Sequence, residues 1–151
     1  MAHGDFAEFF AVERDRSFRL AFVIVNDRDL AEDVTQEAFA RVLARWSRVR
    51  DPGSYLRRAV VNGARSAVRR QVRSRALRAR LLGQPAEISE FYTGDAIDYS
   101  GLSSRQRVLI ALRYHEQMTD REISDVTGMP LGTVKSDLRR GLERLRRTNG
   151  N

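Results

Sequence analysis

Apolar side chains recur at three- and four-residue steps through most of this chain. The clearest run places Leu30, Val34, Ala38, Val42 and Trp46 at strict four-residue intervals, which puts them on one face of an α-helix. No segment of comparable length alternates apolar and polar residues at a two-residue step, the pattern of a half-buried strand. The spacing therefore predicts an all-α protein.

Residues with N-capping side chains mark where the first helices begin. Pro52 can open a helix but cannot continue one, so a third helix is expected from about Tyr55 to about Leu82. The two earlier starts each pair an aspartate with a glutamate three residues on, the spacing of an N-cap and its partner. They are Asp5 with Glu8 and Asp29 with Glu32.

The last third of the chain predicts three further helices. The middle one is short, and a tight stop and restart at residues 128–130 separates it from the last, which runs from about Leu131 to Arg147. The expected starts of the first two are Ser103 or Ser104, and Thr119 in a capping box with Glu122.

Residues 119–147 combine a short capped helix, a glycine-containing turn and a longer helix, which is the helix-turn-helix arrangement. Apolar positions such as Ile123, Val134 and Leu138 would hold the two helices together. The first turns of the longer helix would then present polar side chains to the major groove. An ordinary helical hairpin with a solvated basic face is the alternative. The outward side chains are Thr133, Lys135, Ser136, Arg139 and Arg140.

The charge of the chain is unevenly distributed. Its 151 residues carry a formal net charge of +7. Residues 41–82 hold 13 basic and 1 acidic residue, residues 1–40 hold 4 and 9, and residues 102–151 hold 10 and 6. A strongly basic block between acidic neighbours is the footprint of a surface that binds a polyanion.

The helical patterns and the charge divide the chain into three parts. Residues 1–82 and 102–151 are expected to form two small helical domains. Residues 83–101 between them contain glycines, a proline, four acidic residues and no basic residue, the composition of an acidic linker. Its aromatic side chains leave two possibilities open, a partly ordered loop and a segment with an active role.

One face of the third predicted helix carries a row of cations. Arg58, Arg65 and Arg69 fall within about 40° of one another in projection, with Asn62 among them. Such a row neutralises several phosphates, and Tyr55 at the start of the helix is placed to stack on a base. One alternative is that Tyr55 belongs to the core. Another is that the arginines balance the negative charge of the acidic first helices.

The second predicted helix carries Asp33, Gln36 and Glu37 on the side opposite much of its apolar stripe. Taken alone, these three polar side chains are typical of a solvated helix face.

The sequence lacks groups on which several protein classes depend. The absence of cysteine excludes a disulfide scaffold, a thiol nucleophile and a thiolate zinc site. The carboxylates around Asp33 have no histidine at ligand spacing. No catalytic residue, metal or cofactor is therefore expected, and the pattern does not favour the alternative of a helical hydrolase or metal enzyme. The longest apolar stretch, residues 20–25, is far shorter than the roughly 18 residues of a membrane span. With no secretory signal at its start, the chain is expected to be cytoplasmic, without membrane insertion.

Four segments resemble the extracytoplasmic-function (ECF) sigma factors of bacterial RNA polymerase, and most closely the actinobacterial ones. They occur in the order and spacing of that family and cover both predicted domains. The segments are Asp29–Phe39, Ser54–Asn62, Leu102–Leu109 and Gly132–Ser136.

The resemblance implies a role for each candidate residue. It implies that Asp33, Gln36 and Glu37 bind core polymerase, and that the loop 47–53 captures a base flipped from the melted minus-ten element. The residues that it implies for contact with the minus-ten element are Tyr55, Arg58, Asn62, Arg65 and Arg69. Those that it implies for the minus-thirty-five element are Thr133, Lys135, Ser136, Arg139 and Arg140.

Two features differ from the usual family pattern. The family usually has tryptophan at the position of Tyr55, and Asp137 replaces what is often a basic residue. The resemblance implies a non-enzymatic subunit that directs core polymerase to promoters and assists strand opening, with an anti-sigma factor as a further partner and a location at the nucleoid. A stand-alone helix-turn-helix regulator that binds duplex DNA without polymerase is the alternative.

Overall fold

The computed structural model describes residues 4–83, residue 99 and residues 101–150. Within these residues the chain forms six α-helices and one π-helical turn, which confirms the all-α prediction. The elements are α1 (Phe6–Val25), α2 (Arg28–Ala44), α3 (Pro52–Leu82), α4 (Ser104–Ile110), the π-helical turn (Ala111–His115), α5 (Asp120–Thr127) and α6 (Leu131–Thr148).

The predicted start of α1 is confirmed and that of α2 is wrong. The Asp5 carboxylate accepts a hydrogen bond from the backbone N–H of Ala7 at 3.0 Å. The N-cap of α2 is Asp27, which accepts from the N–H of Leu30 at 3.0 Å, so Asp29 lies inside the first turn. The reason is that α1 ends at Asn26 in the left-handed conformation, which leaves Asp27 as the extended residue before α2.

The first three helices pack against one another around a shared apolar core. The expected stripe of α3 is buried from Leu56 to Val68, and most of the α2 stripe is buried with it. A Cβ added at Gly63 of α3 would lie 3.3 Å from Cγ1 of Val34, so the small residue allows α2 and α3 to approach closely.

The last three helices form a second unit in which α6 packs against α4 and α5. Both predicted serine and threonine caps are capping boxes: Ser103 with Gln106, and Thr119 with Glu122. A Cβ at Gly141 of α6 would lie 3.2 Å from Cδ1 of Ile110, so this glycine sets the close crossing of α4 and α6.

The two units also pack against each other. Helix α1 contacts α4 and the π-helical turn, and α3 contacts α4 and α5. At this boundary the buried Glu116 carboxylate accepts hydrogen bonds from Arg16 of α1, with Nε at 2.9 Å from Oε2. The Nε of Arg57 on α3 lies 3.7 Å from the same oxygen. In this conformation the two helical units therefore form a single packed body.

Most of the predicted linker 83–101 lies outside the described residues. Of its residues, Tyr99 is buried, and its carbonyl accepts from the N–H of Leu102 at 3.1 Å. Among the helices of the described ranges, none has the length and apolar content that a bilayer crossing needs.

Candidate nucleic-acid interface

The first turn of α3 is fixed by its N-cap. The Asp51 carboxylate accepts from the backbone N–H of Ser54 at 3.2 Å and from the Ser54 hydroxyl at 2.7 Å. These two hydrogen bonds lower the pKa of Asp51 below its ordinary value, with a smaller contribution from the positive charge of Arg57. With Pro52 in the first turn, the cap holds Tyr55 one turn further on in a defined position.

Tyr55 lies in an open cleft between this first turn and the preceding loop. The cleft has a volume of about 390 Å³ and is lined by Arg45, Arg48, Val49 and Tyr55. The Arg45 guanidinium lies 6.0 Å from the centroid of the Tyr55 ring. An aromatic ring with arginines beside it provides both a stacking surface and counter-charges for a nucleotide.

The row of polar side chains along α3 is divided by its contacts. Arg58, Asn62 and Arg69 are exposed, whereas Arg65 is half-buried. The Nη1 of Arg65 donates to the carbonyl oxygen of Thr127 at 2.8 Å, at the C-terminal end of α5. Burial, together with repulsion from other arginines, lowers the pKa of Arg65. The predicted face therefore exists, but one of its members is engaged by the other unit.

The three candidate polar side chains of α2 face solvent. Asp33, Gln36 and Glu37 are all exposed, and Glu37 pairs with Arg41 at 3.1 Å in the next turn. Gln36 also borders an open groove of about 330 Å³ between α1 and α2. The groove contains three aromatic side chains, Phe10 and Phe18 from α1 and Phe39 from α2.

The predicted outward face of α6 is largely open. Lys135, Arg139 and Arg140 are exposed, and Thr133 and Ser136 are half-buried. The N-cap of α6 is Pro130, and no side chain caps the first turn. Backbone N–H groups at such a helix start favour an anion. The face thus combines three cations with an uncapped helix start.

Asp137 lies away from this open face. Its carboxylate is buried and pairs with Arg105 of α4 at 3.3 Å and with Arg140 at 3.4 Å. Asp137, an acidic residue on a helix expected to face DNA, thus joins α6 to α4 and pairs with the exposed Arg140.

Comparison with known proteins covers both units. The family model described as Sigma-70 region 2 matches residues 10–74, and that described as Sigma-70, region 4 matches residues 100–147. The chain is 34% identical to the RNA polymerase sigma-E factor of Streptomyces coelicolor over 158 residues, covering 94% of this chain and 84% of that protein. The chain belongs to the sigma-70 family of RNA polymerase sigma factors.

Other relatives of this sigma factor agree. It is 33% identical to the sigma-E factor of Streptomyces avermitilis, covering 97% of this chain and 87% of the relative. It is 26% identical to the ECF RNA polymerase sigma factor SigW of Bacillus subtilis. The sigma factor RpoE, in its complex with the anti-sigma factor NepR from Bartonella quintana, has a similar fold, with a TM-score of 0.72, 20% identity and 95% coverage of both chains.

The family assignment confirms the expected function as an ECF RNA polymerase sigma factor. It does not favour a stand-alone helix-turn-helix regulator, because the matches include the first three helices as well as the last three. Within the described residues, no group of three or more histidines or carboxylates is placed to hold a metal ion.

Sequence reasoning missed one feature of this sigma factor beside the α6 face. Arg113, Tyr114 and Arg146 line an open groove of about 300 Å³ together with Lys135 and Arg139. Helical periodicity did not predict this groove because the π-helical turn is wound more widely than an α-helix. The positions that face one side of the helix there no longer follow the 3.6-residue period. A run of basic and aromatic residues at 113–115 was the available signal.

Proposed function

We propose that this sigma factor places its two helical units on two promoter elements while its second helix holds core polymerase. The first unit, residues 1–82, would bind polymerase and the minus-ten element, and the second, residues 102–151, would bind the minus-thirty-five element. The observation that carries the proposal is that cations of α3 and α6 and acidic residues of α2, three different helices, are exposed.

Polymerase binding is assigned to the α2 surface of Asp33, Gln36 and Glu37. Their exposure supports the assignment, because a docking surface must be free in the unbound protein. Opposite charges across an interface speed association and fix its register. The surface is therefore expected to face a basic region of the polymerase.

The minus-ten element is assigned to α3 and the loop before it. Arg58, Asn62, Arg65 and Arg69 would contact the single strand and its backbone, and Tyr55 would stack on a base in the cleft beside Arg45. Extracting a base costs a few kcal/mol of stacking, which phosphate contacts and a fitted cleft offset. Strand opening would thus be assisted by binding alone, and we assign no catalytic step to this chain.

The minus-thirty-five element is assigned to the α6 face. Arginine and lysine pair with guanine edges, and hydroxyls with phosphates, so the exposed cations would supply sequence contacts. The residues are Thr133, Lys135, Ser136, Arg139 and Arg140.

The acidic segment 83–101 is proposed as the tether between the two contacts. Linking two weak contacts raises the effective concentration of the second. We further propose that the protein acts in the cytoplasm at the nucleoid, where its polymerase and promoter partners are, and that an anti-sigma factor holds the free protein inactive. The structurally similar RpoE in its complex with NepR supports the last point.

The proposal is tested by run-off transcription with reconstituted core polymerase on a promoter library. Glu37→Lys is expected to lower core affinity by about a hundredfold, because like charges facing each other across an interface cost several kcal/mol. Arg139→Ala should leave core affinity unchanged and reduce only the use of the upstream element.

Glu8→Lys is the matched control, since Glu8 is an exposed residue of α1 and undergoes the same charge change. Normal core affinity in Glu37→Lys would contradict the assignment of the α2 surface. Transcription that is insensitive to the upstream sequence in the wild-type protein would contradict the assignment of α6.

A further inference from the structure

The exposed arginines of α3 continue beyond the part of the helix that matches the Sigma-70 region 2 model. That match ends at residue 74, whereas α3 runs on to Leu82. At 100° per residue, Arg73 and Arg80 project within about 40° of Arg69, and all three are exposed. The row that begins at Arg58 therefore extends to the last turn of α3, over about 33 Å at 1.5 Å per residue.

No acidic side chain balances this row. Helix α3 contains no aspartate or glutamate, and within the described ranges no carboxylate pairs with Arg69, Arg73 or Arg80. Arg69 donates to the uncharged Ser66 hydroxyl at 3.3 Å. Like charges one turn apart, such as Arg69 and Arg73, destabilise a helix. The row therefore costs the protein stability that a bound polyanion would restore.

The two ends of α3 suit two different forms of DNA. Single strands are bound through aromatic side chains on which bases stack, and Tyr55 in its cleft supplies such a ring near the start of α3. Residues 70–82 contain no aromatic residue, so their exposed cations offer charge without a stacking surface. The phosphates of a duplex, whose bases are already stacked on one another, need only that charge.

We propose that Arg73 and Arg80 bind the phosphates of the duplex that lies between the two promoter elements, without reading its base sequence. They extend the DNA contact of α3 beyond the residues assigned to the minus-ten element. Because each phosphate contact releases counterions, the affinity that the two arginines contribute should fall as salt rises. The inference rests on the proposed function of α3 as the helix that contacts the minus-ten element.

The order of elements along the chain gives the direction of this duplex. The Tyr55 end of α3 is assigned to the melted strand, and the Arg80 end leads to the second unit, assigned to the minus-thirty-five element. The row would therefore follow the duplex on the upstream side of the melted strand. From Arg69 to Arg80 it is about 17 Å long, the rise of about five base pairs.

The proposal is tested with holoenzyme made from the full-length chain and core polymerase, on two fragments of a promoter selected by run-off transcription. Both fragments carry the single-stranded minus-ten element and lack the minus-thirty-five element. One also carries about 12 base pairs of upstream duplex, more than the row can cover. Arg73→Gln/Arg80→Gln removes two charges of the row and keeps good helix formers. The matched control, Arg70→Gln/Arg78→Gln, removes two exposed charges from other sides of α3.

The Arg73→Gln/Arg80→Gln holoenzyme should bind the fragment with duplex about tenfold more weakly than the wild type at about 0.1 M salt. On that fragment, the slope of log affinity against log salt should become shallower by about 2, close to 1 for each lost phosphate contact. Binding to the fragment without duplex should change less than twofold. The control should match the wild type on both fragments, and shuffling the duplex sequence should leave all these results unchanged. Thermal melting shows that each variant remains folded.

An equal loss in the control variant would overturn the proposal, since the total charge of α3 would then set the affinity. An equal loss on the fragment without duplex, or a loss that depends on the duplex sequence, would also overturn it. A lower affinity of Arg73→Gln/Arg80→Gln for core polymerase without DNA would make the row a polymerase contact instead. Failure of the proposed function is a separate result, because Arg58→Gln would then bind both fragments as the wild type does.

Discussion

Helices α3 and α6 are both rich in arginine and both belong to a proposed promoter contact, but they differ in what already occupies them. The first turn of α3 is capped by Asp51, and Arg65 donates to the other unit. The first turn of α6 has no side-chain cap, and Arg139 is exposed. Similar composition thus gives one face on which Arg65 is engaged by the other unit and one that is largely open, with only Arg140 paired to Asp137.

The net charge of a segment therefore does not measure how readily that segment binds DNA. Residues 41–82 carry far more positive charge than residues 102–151, yet part of that charge stabilises the contact between units. Their hydrogen-bond partners divide the arginines into two groups, those with an acceptor in the protein and those that face solvent. The second group determines the initial affinity for a polyanion.

The largest expected difference between the two helices concerns matched arginine substitutions. In the free protein, Arg139→Ala should weaken binding to a forked promoter fragment about tenfold, because a base-contacting arginine contributes about 1–3 kcal/mol. Arg65→Ala should change it less than twofold, since the Arg65 guanidinium already donates to the Thr127 carbonyl oxygen. Titration with a fluorescent fragment at fixed salt measures both.

Arg19→Ala removes the same charge from an exposed position of α1 and should have no effect. Equal losses for Arg139→Ala and Arg65→Ala would break the contrast between an open and an occupied face.

A smaller effect is expected at the helix starts. Pro130→Asp would place a carboxylate at the uncapped start of α6, where it would cap the helix and occupy the position that favours a phosphate. DNA binding should weaken by about threefold relative to Pro130→Asn, which caps without a charge. If the two variants bound DNA equally well, the helix start would have no part in phosphate binding.

The smallest effect is expected from the cap of α3. Asp51→Ala should lower the free energy of unfolding by about 1 kcal/mol, the usual contribution of an N-cap. Because the folded protein lowers the pKa of Asp51 below the ordinary value of 3.8, its stabilisation is present above about pH 4 and is lost as the pH falls through the lower folded value. Urea unfolding of the wild type and variant at pH 7 and pH 3 measures the difference.

The two proteins should differ less at pH 3 than at pH 7. If the difference in unfolding free energy were the same at both pH values, the Asp51 carboxylate would not act through its charge.

Local patterns predicted most of the helices, and they failed where the chain context differed. The capping box at Thr119 and Glu122 was predicted because both partners lie within one turn. The start of α2 was misplaced by two residues because Asp27 and Asp29 are equally good caps by type, and only the end of α1 at Asn26 decides between them.

The residues of the candidate site were predicted where they follow helical periodicity and were missed where they depend on loops or on the π-helical turn. The exposed positions of Arg58, Asn62 and Arg139 follow from helical periodicity and were foreseen. The cleft around Tyr55 was not predicted, since its wall includes Arg45 and Val49 from the preceding loop. The groove at Arg113 and Tyr114 was missed because a π-helical turn changes the period.

Local sequence was enough to predict the helical class, the separation of acidic and basic segments and the capped helix starts at Asp5 and Thr119, because each of these depends on residues within a few positions of one another. The packing of the helices, by contrast, brings Asp137 against Arg105 and makes Arg65 and Glu116 join the two units. The partners in these contacts are 32, 62 and 100 residues apart. Contacts over such separations depend on how packed helices bring distant side chains together, and no local pattern records them.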